Sequence, residues 1–325
     1  MKRTLFSIIA LAVLLMLSAC KPSSVAVDTP TATLSPPPDV SPTAIIISPT
    51  EKPSPTSLPT GTAPAATQAQ PTATPGSTTY PAAPASPLAV ILVKPDDVLN
   101  IRSGAGIAHA VVGAFSSTAK DIQPTGLTAT ALDSPWLEVK NPAGGVGWVN
   151  AVYLTEYVAP AAFCNDARVT QLLEDFKQSL NNADGELLSS LVSPAHGLTL
   201  YYRRYTPSVN YTPAQASWLF HSTYRVNWGA GASGIDDIGT FREIPLPKLM
   251  DVLNAASYEQ RCNDQQAASM YLEPWPLTYS NINFYALYKP GSPDIEFDWR
   301  VWLAGVEYVQ GKPYLFALIH FEWEP

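Results

Sequence analysis

The sequence predicts a small all-β barrel followed by an α+β domain, in which helices come first and a curled antiparallel sheet follows. Short β-branched runs separated by Gly, Pro, Asn and Asp fill residues 88–158. Residues 160–325 begin with an amphipathic helix pattern, end in long aromatic strands, and are numerous enough for a hydrophobic core of their own. We therefore expect two folded domains, preceded by a segment of different character.

That preceding segment starts with the pattern of a secretory signal at residues 1–20. Lys2 and Arg3 lead into an apolar run from Leu5 to Leu17, which is shorter than the roughly 20 residues that span a bilayer. The run ends in the sequence LSAC, which resembles a bacterial lipobox and implies that Cys20 is acylated, so that membrane lipid is a partner. An uncleaved anchor, or a plain signal peptide with an incidental Cys20, is the alternative. We expect an extracytoplasmic protein, lipid-anchored to the cell membrane at the cell surface or in the periplasm.

Residues 21–87 have the composition of a linker. They contain half of the chain's 32 prolines, together with many Thr, Ser and Ala residues. Such a segment cannot bury enough apolar surface to offset the entropy of ordering, so we expect it to be disordered. At about 3.1 Å per residue it would reach at most ~200 Å. It would therefore act as a spacer between the anchor and the folded domains.

Charge and motifs exclude several classes of function. Once Lys2 and Arg3 leave with the signal, the formal charge changes from −8 to about −10. An acidic chain without a basic cluster is a poor candidate for binding nucleic acid. The sequence contains no phosphate loop, dinucleotide fingerprint, HExxH motif or EF-hand spacing, so we expect no cofactor and no metal.

The cysteines indicate one disulfide. If Cys20 carries lipid, Cys164 and Cys262 remain, and an even remainder in an oxidising compartment favours a bond between them. This bond would close a loop of nearly a hundred residues and restrict the unfolded chain by up to ~4.7 kcal/mol. Two free thiols or a metal pair are the alternatives.

Residues 88–158 contain four motif blocks in a fixed order. The blocks are LNIRSGAG at 99–106, VVG at 111–113, WLEV at 136–139 and GWVNAVYL at 147–154. They resemble the bacterial SH3 domain (SH3b, SH3 type 3). The resemblance implies an SH3-like barrel that binds cell-wall (peptidoglycan) peptide, with Trp136, Trp148 and Tyr153 as the candidate peptide-binding residues. The alternative is that these aromatic residues close the barrel core.

Residues 160–325 begin with predicted helices. Apolar residues at helical spacing predict a helix over 166–180, and Asp184 is positioned to cap a second helix that reaches Val192. Thr212 and Pro213 begin a third helical segment, and Pro247 opens a fourth. The helix positions expected to be buried are Val169, Leu172, Leu173, Phe176 and Leu180.

The remaining strands are predicted at residues 270–272, 282–288, 295–308 and 313–323, with a hairpin turn at 309–312. The segments VTQLL at 169–173 through Phe176, LNNAD at 180–184 and residues 187–194 resemble the start of an NTF2-like cone. That resemblance implies a concave sheet that lines a pocket.

Alternation along the strand predicted at 295–308 separates two faces. Ile295, Phe297, Trp299, Val301 and Leu303 form the natural core face, and the polar face carries Glu296, Asp298, Arg300 and Trp302. The polar face is expected to meet solvent or a cavity. A two-residue turn places Val301 opposite His320, whereas a three-residue turn places Arg300 opposite Glu322. The candidate pocket residues are Asp298, Arg300, Trp302, His320 and Glu322.

These features predict a membrane-anchored lipoprotein that binds cell-wall peptide, with the C-terminal domain as a recognition or scaffold unit. The alternatives are an NTF2-like small-molecule-binding protein or enzyme, a structural envelope protein, and a thiol-dependent cell-wall hydrolase. For the hydrolase, Cys164 lies before a predicted helix that would lower its pKa, and His196, His221 or His320 could act as base. The chain lacks the Asp-Cys-Ser sequence of NlpC-type cysteine peptidases, and Cys262 is available to pair with Cys164. We expect binding rather than catalysis.

Overall fold

The computed structural model describes residues 86–231, 234–268, 273–295 and 297–323. The predictions for the signal, for Cys20 and for the linker up to residue 85 fall outside these residues, as do those for the strand at 270–272 and for Glu296. All described residues belong to one structural unit. None of the described helices has the length and apolar character needed to cross a membrane.

The first part of the structure is built from short strands. Five of them form an antiparallel sheet in the order β3-β2-β6-β5-β4, and β1 pairs with β7. The strands are β1 (Leu88–Val90), β2 (Val98–Arg102), β3 (Val111–Ser116), β4 (Pro124–Ala131), β5 (Ser134–Lys140), β6 (Val146–Asn150) and β7 (Leu154–Glu156).

Strands β2 and β6 bury every second residue. Leu99 and Ile101 on β2 point into the same core as Val139 and Val149. Neither sheet closes on itself in the pairing pattern. The β domain expected at 88–158 is thus present in outline, while the SH3-like barrel stays a prediction.

The second part combines a few helices with a six-stranded sheet in the order β12-β13-β14-β15-β8-β9. Strands β15 and β8 are parallel and the other neighbours are antiparallel, so the sheet is mixed, not wholly antiparallel as predicted. A separate antiparallel pair joins β10 and β11. The helices are α1 (Pro160–Cys164), α2 (Ala167–Asn182), α3 (Gly185–Leu191), α4 (Pro213–Ala216) and α5 (Pro245–Leu253). The strands are β8 (Leu198–Tyr201), β9 (Val209–Tyr211), β10 (Val226–Ala230), β11 (Asp236–Gly239), β12 (Glu259–Cys262), β13 (Asn283–Lys289), β14 (Arg300–Val309) and β15 (Lys312–Glu322).

Three of the described helices, α2, α3 and α4, begin where a side chain accepts a hydrogen bond from a free backbone N–H group. Asp166 caps α2 by accepting from the Arg168 amide, and Asp184 caps α3 by accepting from the Leu187 amide. The predicted apolar face of α2 is buried throughout. Helix α5 begins at Pro245, two residues before the predicted Pro247. Proline is tolerated in the first turn of a helix, so both prolines fit there.

The hairpin between β14 and β15 combines a tight turn with a bulge. Gln310 and Gly311 form a two-residue turn, and both have positive φ, at 53° and 73°. Phe316 is an extra residue on β15, so the register shifts by one beyond it and Arg300 faces Glu322. This pairing was predicted for a three-residue turn. The bulge at Phe316 produces the same pairing with a two-residue turn.

Both faces of the large sheet are buried, which differs from the solvated or cavity-lining face expected for the polar set. On one face Trp302 packs with residues of the helices, and on the other Val301 packs against Trp275 and Tyr279. Strand β14 starts only at Arg300, so the preceding residues leave the sheet and Ile295 and Phe297 are exposed, at 60% and 55%. Their predicted place in the core is wrong.

The β-rich part and the α+β part are packed together through shared contacts. Ile91 is fully buried in the apolar cluster of Trp275 and Tyr279. The Asn281 amide donates to the Val90 carbonyl at 2.9 Å and to the Ala119 carbonyl at 3.2 Å. The two parts therefore share a hydrophobic core and a hydrogen-bond network.

Candidate functional site

A groove on the β-rich part contains two of the three predicted peptide-binding residues. Trp136 and Tyr153 line a cavity of about 440 Å³. Trp148 does not line it; in the strand ladder this residue of β6 pairs with Arg102 of β2 and with Glu138 of β5. Further lining residues are Leu92, Lys94, Asp97, Arg102, Ile107 and Asn150.

The two aromatic residues have different roles in this groove. Trp136 is only 4% exposed and forms the floor, while Tyr153 is 38% exposed and stands at the rim. Asn150 positions Tyr153, because its side chain accepts from the Val152 amide at 3.0 Å and starts the 3₁₀ turn Ala151–Tyr153. In the described part of the chain, the indole Nε1 of Trp136 has no hydrogen-bond partner.

Charged groups of both signs border the groove. Lys94 and Asp97 are exposed, and Asp97 accepts from the Val98 amide at 2.7 Å. Arg102 is held by donating from Nη1 to the His109 carbonyl at 2.8 Å. The groove can therefore offer an aromatic surface, a cation and an anion to one extended ligand.

Four of the five predicted pocket residues of the α+β part lie together. Arg300 Nε donates to Glu322 at 3.1 Å, and the rings of Trp302 and His320 stack with centroids 4.5 Å apart. Asp298 lies apart from them, because it precedes β14 and accepts hydrogen bonds from Ser292. Its inclusion in the pocket is wrong.

His320 stacks with two aromatic rings, those of Trp302 and Tyr202. The ring centroids of Tyr202 and His320 are 5.5 Å apart, and the Tyr202 carbonyl accepts from His320 Nδ1 at 3.1 Å. Burial lowers the pKa of His320 to about 4, so the ring is neutral at neutral pH. Since a carbonyl only accepts, Nδ1 carries the proton and Nε2 is a hydrogen-bond acceptor.

A cavity of about 170 Å³ opens beside His320. The lining residues come from the turn that follows β8, from the end of its parallel neighbour β15 and from the last residue of β10. Burial would raise the pKa of Glu322, but His320 and the hydrogen bonds from Lys248 and Arg300 hold it below its ordinary value. The cavity is lined by Tyr202, Arg203, Arg204, Tyr205, Thr206, Ala230, His320, Phe321 and Glu322.

A third cavity, of about 420 Å³, lies between the two parts of the structure and was not predicted. His196 Nδ1 donates to Glu307 Oε2 at 2.7 Å, and His196 Nε2 donates to the Val152 carbonyl at 3.1 Å. Burial lowers the pKa of His196, but the hydrogen bond and charge of Glu307 and the Val152 carbonyl outweigh it and raise the pKa above its ordinary value. With both ring nitrogens donating, His196 is an imidazolium that joins Glu307 to the β-rich part.

The disulfide is confirmed. Cys164 at the end of α1 and Cys262 at the end of β12 are bonded, with their Cα atoms 5.7 Å apart. Neither sulfur is a free thiol, so the thiol-hydrolase alternative lacks its nucleophile. The bond ties the first helix of the α+β part to an edge strand of the large sheet.

Comparisons of the chain with protein-family models, with curated proteins and with solved structures found no match.

Proposed function

We propose that this protein is an extracytoplasmic lipoprotein, anchored through an acylated Cys20, that binds cell-wall peptide in the groove of Trp136 and Tyr153. In this proposal residues 88–158 are an SH3b domain with an SH3-like barrel. Residues 160–325 form an NTF2-like cone that serves as a second recognition or scaffold unit. The observation that carries the proposal is the groove, because it lies within the segment that carries the four SH3b-like motif blocks.

The chemistry of the groove suits an extended peptide. An aromatic floor and rim present flat apolar surfaces to a backbone, at low entropic cost for the rings. Lys94 and Arg102 complement a ligand carboxylate, and Asp97 complements a ligand amine. Cell-wall stem peptides carry both kinds of group on a short extended chain. The β-rich part would supply the contacts, while the α+β part holds it in place.

We expect the full chain with Cys20→Ser, which stays in solution without lipid, to sediment with purified peptidoglycan. Tyr153→Ala should weaken this binding about five- to tenfold, because exposed tyrosines are frequent anchors of binding energy. The fraction bound in a pelleting assay over a range of peptidoglycan concentrations measures the effect.

The matched control is Tyr224→Ala, since Tyr224 is a 74% exposed tyrosine on the α+β part, outside the groove. This variant should bind as the parent does. Equal binding by the Tyr153 and Tyr224 variants would contradict the groove as the peptide site. Sedimentation of none of the three proteins would contradict peptide binding altogether.

The anchor has an independent test. Metabolic labelling with an alkyne analogue of palmitate should tag the wild-type chain and leave the Cys20→Ser chain untagged. A chain with both Cys164→Ser and Cys262→Ser should keep the label, because these cysteines take part in the disulfide. An untagged wild-type chain, or a tag on the Cys20→Ser chain, would rule out acylation at this position.

A further inference from the structure

The cavity beside His320 has the properties of a second binding site, unrelated to the peptide groove. It lies where the parallel strands β8 and β15 both end, next to the turn at residues 202–206. Its volume of about 170 Å³ is too small for a peptide. One group the size of a water molecule occupies ~30 Å³, so the cavity has room for about six such groups.

The charges that line the cavity favour a small anion. Arg203 and Arg204 contribute two guanidinium groups, and Glu322 contributes one carboxylate. Arg203 donates to Asp237 at 3.0 Å. Arg204 is half-buried, and its Nε is closed to solvent without a hydrogen-bond partner. Within the described residue ranges, no carboxylate pairs with Arg204. A monoanion would complement this cation.

A buried nitrogen of His320, a residue that lines the cavity, is the second polar atom that lacks a hydrogen-bond partner among the described residues. His320 is 2% exposed, and its Nε2 is a buried atom without a partner among the described residues. Because Nδ1 donates to the Tyr202 carbonyl, Nε2 can only accept. A buried acceptor left unpaired is costly, so a ligand that brings an O–H group would gain from satisfying it.

We propose that this cavity binds a small hydroxycarboxylate, with the carboxylate on Arg204 and the hydroxyl donating to Nε2 of His320. The ring stack of Trp302 and Tyr202 fixes the His320 ring in place, so the acceptor is preorganised. Lys248 and Arg300 donate hydrogen bonds to Glu322 at 2.7 and 3.1 Å, and their two positive charges offset its negative charge beside the ligand. The cation Arg204, the acceptor Nε2 of His320 and the small volume of the cavity together select this class of ligand.

Isothermal titration calorimetry of the full Cys20→Ser chain with lactate and with propionate tests the proposal. The two acids have the same charge and nearly the same size, but only lactate carries the hydroxyl. We expect saturable binding of one lactate enantiomer, about tenfold tighter than propionate, because the hydroxyl forms a hydrogen bond to a buried acceptor. The same affinity for both acids, or no binding of either, would overturn the proposal.

Two variants locate the binding. Arg204→Gln should lower the affinity for both acids at least tenfold. His320→Phe should keep the ring stack but give lactate and propionate the same affinity. Arg242→Gln, at an exposed arginine outside the cavity, should change neither affinity. Because His320 is buried, the His320→Phe chain can fail to fold, so its circular dichroism spectrum is recorded first. If it is unfolded, the Arg204→Gln variant at a half-buried position decides the outcome. Unchanged lactate binding by the Arg204 variant would overturn the proposal. These residues are absent from the peptide groove, so the outcome is independent of peptidoglycan binding.

Discussion

Replacing His196 with alanine is expected to lower the free energy of unfolding by about 3–5 kcal/mol. The side chains of His196 and Glu307 are only 8% and 1% exposed, and they form the 2.7 Å ion pair between the two parts of the structure. Removing the imidazolium leaves the Glu307 carboxylate buried without its cation. Urea unfolding at pH 6, followed by circular dichroism, measures the loss.

The stabilisation by His196 should also depend on pH. Its pKa in the folded protein is raised above the ordinary value of 6.5, so the folded state binds this proton more tightly than the unfolded state does. The stabilisation is therefore complete below pH 6.5 and is lost as the pH rises through the folded-state pKa. The difference between wild type and the His196 variant should shrink between pH 6 and pH 9. A constant difference over this range would contradict the charged pair.

Two controls separate the ion pair from general damage. His221→Ala, at an exposed histidine of the same part, should leave the free energy of unfolding within about 0.5 kcal/mol of wild type. A double variant with His196→Leu and Glu307→Leu should be more stable than His196→Ala, because no buried charge is left unpaired. If the double variant is the less stable one, packing and not charge explains the His196 effect.

Removal of the disulfide should have an effect of similar size. Cys164 and Cys262 are 98 residues apart, and opening a loop of that length lowers stability by up to ~4.7 kcal/mol in the chain-entropy model. We expect this loss in a chain with Cys164→Ser and Cys262→Ser. The urea midpoint of the oxidised wild type, compared with that of the double variant, measures it.

Reductant provides the matched control for the disulfide. It should lower the midpoint of the wild type toward that of the double-serine chain and leave the double-serine chain unchanged. Without reductant, an alkylating reagent should not modify Cys164 in the folded protein. Rapid alkylation under these conditions would contradict the bond and would return the thiol to consideration as a nucleophile.

Local patterns predicted the elements well. The apolar spacing of α2, the Asp184 cap of α3 and the turn at Gln310 depend on nearest neighbours in sequence, and each lies where it was expected. The disulfide was predicted from the number of cysteines together with the oxidising compartment that the sequence leads us to expect. These features need no knowledge of distant contacts.

Features set by distant contacts were harder to predict. The bulge at Phe316 moves the register of a hairpin whose turn was predicted correctly, and no local signal marks it. Asp298 was placed in the pocket by alternation, but β14 begins after it. His196 and Glu307 lie 111 residues apart in the sequence. The one local indication of a buried partner is that Glu307 is an acidic residue in a mostly apolar strand. Of the three predicted peptide-binding residues, Trp136 and Tyr153 line the same groove and Trp148 does not.

The burial of Ile91 against Trp275, together with the Asn281 amide on two carbonyls of the β-rich part, limits how this chain can evolve by recombination. A small β module is commonly regarded as a cassette that can be moved between proteins. Here an incoming module would have to present an apolar side chain at the position of Ile91, and carbonyls that can accept from Asn281 at the positions of Val90 and Ala119. The two parts are therefore expected to be inherited as a pair, and changes at their common boundary to be accepted only in matched sets.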